Sequence, residues 1–390
     1  MNNKKGITLI ALIITIIIML ILVAVSINIA INTGLFKSAG DATKNWKAAQ
    51  DLESNIGSEI KIGNNTYENI EEYIKSTKPL PEIKAGEKAK ETSKYQTAVI
   101  PKGFTVSNII GEKDVSTGLV IYDIPDETTV DWTKADSVKT TYNQFVWIPV
   151  NVNTAIDDET SIGDFYRSEW ANNSRNTDLT QSTDYTEPNE ANDKISGIAG
   201  QIENLTQSIY KYGGFYIGRY ETGSETIRES SSGITTLGIK QDMYPYNFVS
   251  WGDSMSNVGT AGAVALSNGL YTGKIEYEAT SMLCTGAAWD CMLDFIKDAE
   301  HDVTDSTKWG NYMDAEFELA RGEWSTSRTP SDFNPIEETT SKGLYSVRFL
   351  TTGATDRNSS KNIYDVAGNC FEWTTESYSS NARVGRGRKL

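Results

Sequence analysis

Residues 362–373 read "NIYDVAGNCFEW" and place an aspartate, a Gly-Asn pair, a cysteine and a glutamate among aromatic residues. Asp365 and Glu372 offer hard carboxylate oxygens, and Gly368 permits a tight turn between them. Ca²⁺ takes about six to eight oxygen ligands from side chains and backbone together. The stretch therefore predicts a calcium site. Its ligands are the two carboxylates and the backbone carbonyls of Val366, Gly368 and Cys370.

A structural interpretation of the same stretch stays open. Asp365 and Asn369 can cap turns through their side chains, as Asp and Asn commonly do. Phe371 and Trp373 then fill the core, and Cys370 is a small buried apolar residue. The stretch is thus a metal loop or a packed turn.

Composition excludes several classes of function. The net charge of −16 argues against nucleic acid as a partner, because phosphates require a basic surface. A single histidine, His301, removes most histidine-based catalysis and most zinc sites. Three cysteines give no disulfide framework, although one pair is possible.

The N-terminal segment is nearly pure hydrocarbon. From Ile7 to Ile31 the chain carries no charged residue, and a helix of that length crosses a hydrocarbon layer of ~30 Å. Lys4 and Lys5 precede it, which favours a cytoplasmic N-terminus. The pattern predicts a single-pass protein of the bacterial cell membrane with an extracellular C-terminal domain. A cleaved secretory signal is disfavoured because the apolar run is too long and no A-x-A site closes it.

The segment "KKGITLIAL" at residues 4–12 resembles the leader of type IV prepilins. The resemblance implies that a prepilin peptidase cuts between Gly6 and Ile7, that Ile7 is methylated, and that other pilin subunits are partners. The family usually has Glu at the fifth mature position, which is Ala11 here. That departure favours a minor or tip pilin, or a plain membrane-anchored protein, over a bulk filament subunit. An uncleaved signal anchor is the alternative.

After the apolar run, the sequence pattern of the chain changes twice. An amphipathic stalk helix is predicted to about residue 60, then a short helix at 67–76 and a Lys/Glu/Pro-rich linker to residue 98. From residue 99, strands such as "NQFVWIPV" and "GGFYIGRYETG" alternate with turns, and residues 151–193 form a polar insertion. Helices are predicted at residues 202–214 and in "TGAAWDCMLDFIKDAE", with Thr285 as the N-cap.

These blocks, in this order, resemble the formylglycine-generating, sulfatase-modifying-factor family, a variant of the C-type lectin fold. The matching stretches are "FVWIPV", "GGFYIGRYE", "YPYNFVSWGDS", "CTGAAWD" and "NIYDVAGNCFEWTTE". The resemblance implies an α+β fold class, in which a transmembrane, pilin-like helix precedes a lectin-like domain of loops and short strands over residues 99–390. It also implies a calcium ion at the last block, with Asp365 and Glu372 as its side-chain ligands.

The catalytic part of that family's pattern is missing. Its enzymes carry a cysteine pair after an R-G-G-S stretch, whereas this chain reads "NARVGRGRKL" with no cysteine following. Cys284 and Cys291 have a spacing that more often packs a helix face. Because few residues follow Trp373, we expect the 390 residues to be a truncated version of a longer chain.

The sequence therefore predicts a non-enzymatic, adhesin-like protein of the cell surface or pilus that binds an unknown surface ligand. A formylglycine-generating-type oxidoreductase is one alternative, if the full-length gene restores the cysteine pair. A minor structural pilin is the other.

Overall fold

The computed structural model describes two units of the chain, Met1–Lys78 and Pro79–Leu390. The residues it describes are 60–62, 65–67, 98–125, 128–151, 164–175, 187, 198–231, 236–252, 262–312, 318–327, 332–335, 347, 349–379 and 382–387. In the first unit these form an antiparallel hairpin of β1 (Ile60–Ile62) and β2 (Asn65–Tyr67).

The second unit combines short strands with helices. The helices are α1 (Ala135–Thr141), α2 (Ile198–Tyr212), α3 (Ala263–Asn268) and α4 (Gly286–Ile296), with 3-10 turns at Val115–Thr117 and Ser306–Lys308. The strands are β3 (Thr105–Val106), β4 (Val120–Tyr122), β5 (Gln144–Pro149), β6 (Trp170–Ala171), β7 (Ser174–Arg175), β8 (Gly214–Gly218), β9 (Gly223–Ser224), β10 (Leu237–Gly238), β11 (Tyr244–Pro245), β12 (Glu323–Ser325), β13 (Asn334–Pro335), β14 (Phe349–Leu350), β15 (Glu372–Ser379) and β16 (Ala382–Arg386).

An antiparallel sheet in the order β3-β4-β5-β8 separates two apolar cores. Successive side chains of a strand point to opposite faces, so β5 contributes to both. Val146 and Ile148 pack in the core that includes α4, whereas Trp147 packs in an aromatic core with Phe104 and Tyr271. The predicted strands "NQFVWIPV" and "GGFYIGRYETG" are confirmed as β5 and β8.

Helix α4 is confirmed together with its predicted cap. The Thr285 side chain accepts a hydrogen bond from the Ala288 N–H at 3.0 Å. Trp289, Met292 and Ile296 are buried at helical spacing, which gives the helix its core-facing side. Helix α2 begins at Ile198, four residues before the predicted start, and ends immediately before the left-handed residue Gly213.

Part of the predicted polar insertion packs into the fold. Arg167 forms buried ion pairs with Asp290 of α4 and with Glu376 of β15. The Ser168 N–H donates to Asp290 at 2.7 Å, and Arg386 of β16 pairs with Glu376 at 2.7 Å. Because each carboxylate meets a cation inside the protein, this cluster joins residues 164–175 to α4 and to the β15–β16 hairpin.

The predicted fold class, an α+β chain with a transmembrane, pilin-like helix before a C-type-lectin-like domain, is wrong. The described residues form a mixed helix-and-strand structure, and no helix among them has the length and apolar character needed to span a membrane. The longest of these helices, α2, carries polar residues along one side. The error has a physical cause, since a resemblance of short blocks concerns local patterns and does not determine how strands are ordered into sheets.

Several predicted segments lie outside the described residues. They are the leader with Gly6 and Ile7, the apolar run from residue 7 to residue 31, the stalk before residue 60 and the linker before residue 98. Of the helix predicted at 67–76, only Tyr67 is described, and it ends strand β2.

Candidate functional site

The stretch at residues 362–373 forms a turn that runs into β15. Asp365 is buried and has a φ of 62°, and its carboxylate accepts hydrogen bonds from the Gly353 N–H at 2.8 Å and the Asn358 amide at 3.2 Å. Gly368 has a φ of 91°, and a side chain there would collide with the backbone of Asn311. The turn therefore requires its glycine and uses Asp365 as an internal cap.

Asn369 connects this turn to two other parts of the chain. Its side-chain oxygen accepts from the Leu350 N–H at 2.8 Å and from the Asn311 amide at 2.9 Å. Its amide nitrogen donates to the carboxylate of Glu221, the third residue after β8. Glu221 also accepts a hydrogen bond from the Cys370 N–H. These contacts bring Glu221 into the same buried site as the predicted calcium ligands.

Glu372, the first residue of β15, has one carboxylate oxygen in an unusual position. Its Oε2 atom is buried and has no hydrogen-bond partner among the described residues. The atom lies beneath Gly387, where a side chain would collide with Oε2 and approach the carbonyl oxygen of Val366. Gly387 has a φ of 91° and accepts a hydrogen bond from the Gly368 N–H. The unpaired oxygen thus lies near one of the predicted carbonyl ligands, that of Val366.

The site concentrates three buried carboxyl groups whose charged forms are disfavoured. Burial raises the pKa of Asp365 to about 7. Burial, followed by the charge of Asp365, raises the pKa of Glu221 well above its usual range. Burial and the charge of Glu221 do the same to the pKa of Glu372. No ion pair joins these three carboxylates to a basic side chain in the part of the chain that the structure describes.

The donor chemistry of the site fits a hard cation. The acceptors at the site are oxygen atoms, which Ca²⁺ prefers. A bound cation would satisfy the unpaired Glu372 oxygen and balance the carboxylates in their charged form. The side chains alone do not complete a shell, since no group of three or more His, Cys, Asp or Glu side chains in the described ranges is placed to hold a metal. Both carboxylate oxygens of Asp365 accept hydrogen bonds within the turn region, as the structural interpretation expects. Backbone carbonyls would therefore have to supply part of any shell.

A cavity of about 800 Å³ lies next to this site. Glu221, Val366, Glu372 and Trp373 border it, and so does the whole of β8. Its other walls are aromatic residues of the second core on one side and apolar residues of α4 on the other. Ligand pockets in proteins have volumes of about 300–1,000 Å³ and are mostly apolar with a few polar groups. The cavity matches that description.

The cysteines are free thiols held in their protonated form. Burial, followed by the charges of Glu187 and Glu376, raises the pKa of Cys284 far above its usual value. Burial raises the pKa of Cys291 to about 12 and that of Cys370 well above its ordinary range. Because the thiolate is the nucleophilic form, these environments disfavour cysteine chemistry.

Sequence reasoning missed Glu221 and the cavity. Glu221 stands in the quoted stretch "GGFYIGRYETG", where a carboxylate directly after an apolar strand is an unusual residue for a buried position. That signal could have identified it as a functional candidate. Comparisons of the chain with family models, curated proteins and solved structures returned no match.

Proposed function

We propose that this chain is a non-enzymatic ligand-binding protein that takes its ligand into the cavity beside β8. The observation that carries the proposal is the cavity itself, about 800 Å³ in volume and bounded by apolar walls with glutamates at one side. A recess of that size with mostly apolar walls and a few polar groups is the usual form of a ligand site. A ligand with apolar surface and a cationic group has the complementary chemistry.

The thiols favour binding over oxidation chemistry. An oxidoreductase of the formylglycine-generating type would need reactive cysteines, and the raised pKa values of Cys284 and Cys291 keep both thiols protonated at neutral pH. Cys291 is also buried and donates its S–H to the Asp164 carbonyl. These two residues therefore support a packing role.

Calcium is the second part of the proposal. Glu372 and Glu221 would supply carboxylate oxygens, and backbone carbonyls such as that of Val366 would complete the shell, with Asp365 holding the turn and adding charge. The support is the buried Oε2 of Glu372, which has no hydrogen-bond partner in the described part of the chain and lies among other buried carboxyl groups. A bound Ca²⁺ would neutralise the carboxylates of Glu221 and Glu372 in the cavity wall and stabilise the turn that carries Gly368 and Cys370.

Surface display is proposed from the N-terminal residues alone. The basic leader, Gly6 and the uncharged residues after it support export and processing by a prepilin-type peptidase, with adhesin-like presentation at the bacterial cell surface or pilus. A role as a minor pilin subunit differs in requiring no ligand, so binding to the cavity separates the two.

Binding to the cavity can be tested with Nile red, an uncharged dye that fluoresces in apolar surroundings. Ser208 of α2 is half-buried and borders the cavity, so Ser208→Phe fills space there. Gln207, its exposed neighbour, gives the matched control Gln207→Phe. We expect saturable 1:1 dye binding that Ser208→Phe weakens at least about tenfold and Gln207→Phe leaves unchanged. Absence of saturable binding, or equal binding by both variants, would overturn the proposal.

A further inference from the structure

Strand β8 is the last strand of the central sheet, and no other strand of the described residues pairs with its outer edge. The Val150 N–H donates to the Gly213 carbonyl at 2.9 Å, and the Arg219 N–H donates to the Gln144 carbonyl at 3.0 Å. Backbone groups of an antiparallel strand alternate in direction. Phe215 and Ile217 therefore bond to β5, as Gly213 and Arg219 do, and the three intervening residues point outward. Those three are Gly214, Tyr216 and Gly218.

The three residues with outward backbone groups all border the cavity. All five residues of β8 border it, and in the described part of the chain no backbone partner meets the outward groups of Gly214, Tyr216 or Gly218. Unpaired N–H and C=O groups beside apolar walls are unfavourable, and an open strand edge is a template for another strand. The cavity thus presents a row of main-chain donors and acceptors in addition to its apolar surface.

We propose that the ligand is an extended, basic peptide segment of another polypeptide, which adds to β8 as a fifth strand of the sheet. This inference rests on the proposed function and names its ligand class. Strand addition supplies affinity through main-chain hydrogen bonds and specificity through alternate side-chain pockets. Five residues of β8 span about 17 Å at strand spacing, so a peptide of five or more residues can pair along the whole edge.

The two walls define the side chains that the peptide must carry. One wall is aromatic and includes Phe104 and Tyr277, and the other includes Trp289 and Met292 of α4. Because neighbouring residues of a strand point to opposite faces, the peptide needs apolar or aromatic side chains on both. This requirement excludes a polar, glycine-rich peptide.

The acidic side chains that border the cavity favour a basic peptide. The described residues that border it include three glutamates and no lysine, arginine or histidine. Glu221 and Glu372 lie at one end, and Glu278 is the third. Burial raises the pKa values of Glu221 and Glu372, so a lysine or arginine of the peptide would bind as these carboxyl groups release their protons. An acidic residue of the peptide would find no cationic partner on this wall.

Tyr216 allows a test of the main-chain contacts. Its N–H points away from β5, and proline is tolerated on the open side of an edge strand. Tyr216→Pro therefore removes an outward donor without removing a bond to β5. Tyr216→Phe is the matched control, because it keeps the ring that packs on Trp147 and keeps the N–H, losing only the hydroxyl that donates to the Val99 carbonyl.

The probe is a phage-displayed library of random nine-residue peptides, selected on the full chain in a buffer with EGTA so that Ca²⁺ does not compete for the glutamates. We expect the selected peptides to alternate apolar residues and to contain Lys or Arg. Fluorescence polarisation measures the dissociation constants of these peptides. Tyr216→Pro should raise the dissociation constant about tenfold, which corresponds to the loss of about one main-chain hydrogen bond. Tyr216→Phe should change it by less than about twofold.

A change in the peptide gives a second, independent readout. N-methylation of alternate peptide amides should weaken binding about tenfold in one register and leave it unchanged in the other, since only one set of amides faces β8. Equal binding to Tyr216→Pro and Tyr216→Phe, no effect of N-methylation in either register, or a library that yields no binder would each overturn the inference. If Nile red still binds in that case, the cavity remains a ligand site and only the peptide is wrong. If neither Nile red nor a peptide binds, the proposed function is wrong as well.

Discussion

At the scale of single residues, the most unusual chemistry is a set of buried carboxylates without a counter-ion. Burial raises the pKa values of Glu221, Asp365 and Glu372, and the charge of Asp365 adds to the rise at the two glutamates. None of the three forms an ion pair among the described residues. Elsewhere the protein pairs such groups, as Glu112 does with Arg219 at 2.8 Å. A buried, unpaired charge is costly, so the cluster must bind protons or a cation. These two states respond differently to calcium and to pH.

Calcium should stabilise the protein through Glu372. With free Ca²⁺ at about 100 times its dissociation constant, the native state gains about 2.7 kcal/mol, so EGTA should lower the Tm measured by calorimetry. Glu372→Gln removes the charged ligand and should abolish the difference between Ca²⁺ and EGTA. Glu229→Gln, at an exposed position, is the control and should keep it. Identical melting curves of the wild type with and without EGTA would leave only the packed-turn interpretation.

Without calcium, stability should decrease as the pH rises. Burial raises the pKa values of Asp365 and Glu187 to about 7, above the ordinary carboxyl value of about 4. The folded state then binds more protons than the unfolded state between these pH values, so the stability that these two groups contribute is full below about pH 4 and is lost as the pH rises through about 7. In EGTA we expect a lower Tm at pH 7.5 than at pH 5, and a smaller decrease in Glu187→Gln.

Calcium should reverse part of that trend, because it binds the deprotonated carboxylates. The measurement is a series of calorimetric scans in EGTA and in Ca²⁺ across the same range of pH. A Tm in EGTA that rises steadily from pH 5 to pH 7.5 would contradict the prediction.

At the scale of elements, helix α4 contacts several separate parts of the domain. Its apolar side, with Trp289 and Met292, covers one face of the central sheet and borders the cavity. Its first N–H, that of Gly286, donates to the carboxylate of Glu187 at 2.5 Å, where the helix dipole favours negative charge. Asp290 holds Arg167 from the loop region before α2. One helix thus connects the sheet, the loop region and the β15–β16 hairpin.

The N-cap of α4 should contribute measurably to stability. Thr285→Ala removes the hydrogen bond to the Ala288 N–H and should lower the free energy of unfolding by about 1 kcal/mol. Thr285→Ser keeps the hydroxyl and should cost much less. Urea denaturation followed by tryptophan fluorescence measures both variants. Equal losses for Ala and Ser would show that the methyl group, and not the cap, matters at this position.

At the scale of the whole molecule, the described domain carries the cavity, and we propose that the N-terminal sequence carries signals for export. We expect that the mature protein begins at a methylated Ile7, since Gly6 ends a basic leader before an uncharged run. Mass spectrometry of the N-terminal peptide from membrane-extracted protein measures this. A Gly6→Leu variant should remain uncleaved, whereas Gly34→Ala, well after the cleavage site, should be processed normally. Wild-type protein that retains Met1 to Gly6 would leave only the signal-anchor interpretation.

Local patterns were sufficient to predict individual elements of the domain. The alternation in "NQFVWIPV" predicted β5, and the spacing of Trp289, Met292 and Ile296 after Thr285 predicted α4 with its cap. These features depend on residues a few positions apart, whose backbone preferences and hydrogen bonds act within one turn or one strand. The same holds for the turn around Gly368, which only glycine fits.

The tertiary structure alone decided what those elements form together. It ordered the strands so that β8 lies at the edge of the described sheet, and it brought Glu221 beside a turn about 150 positions later in the chain. It also placed Arg167, from a stretch predicted to be a surface insertion, against Asp290 and Glu376. Such contacts depend on how all the apolar faces are buried at once. Sequence patterns therefore predicted the elements, whereas the packing of the whole domain decided the cavity and its charge.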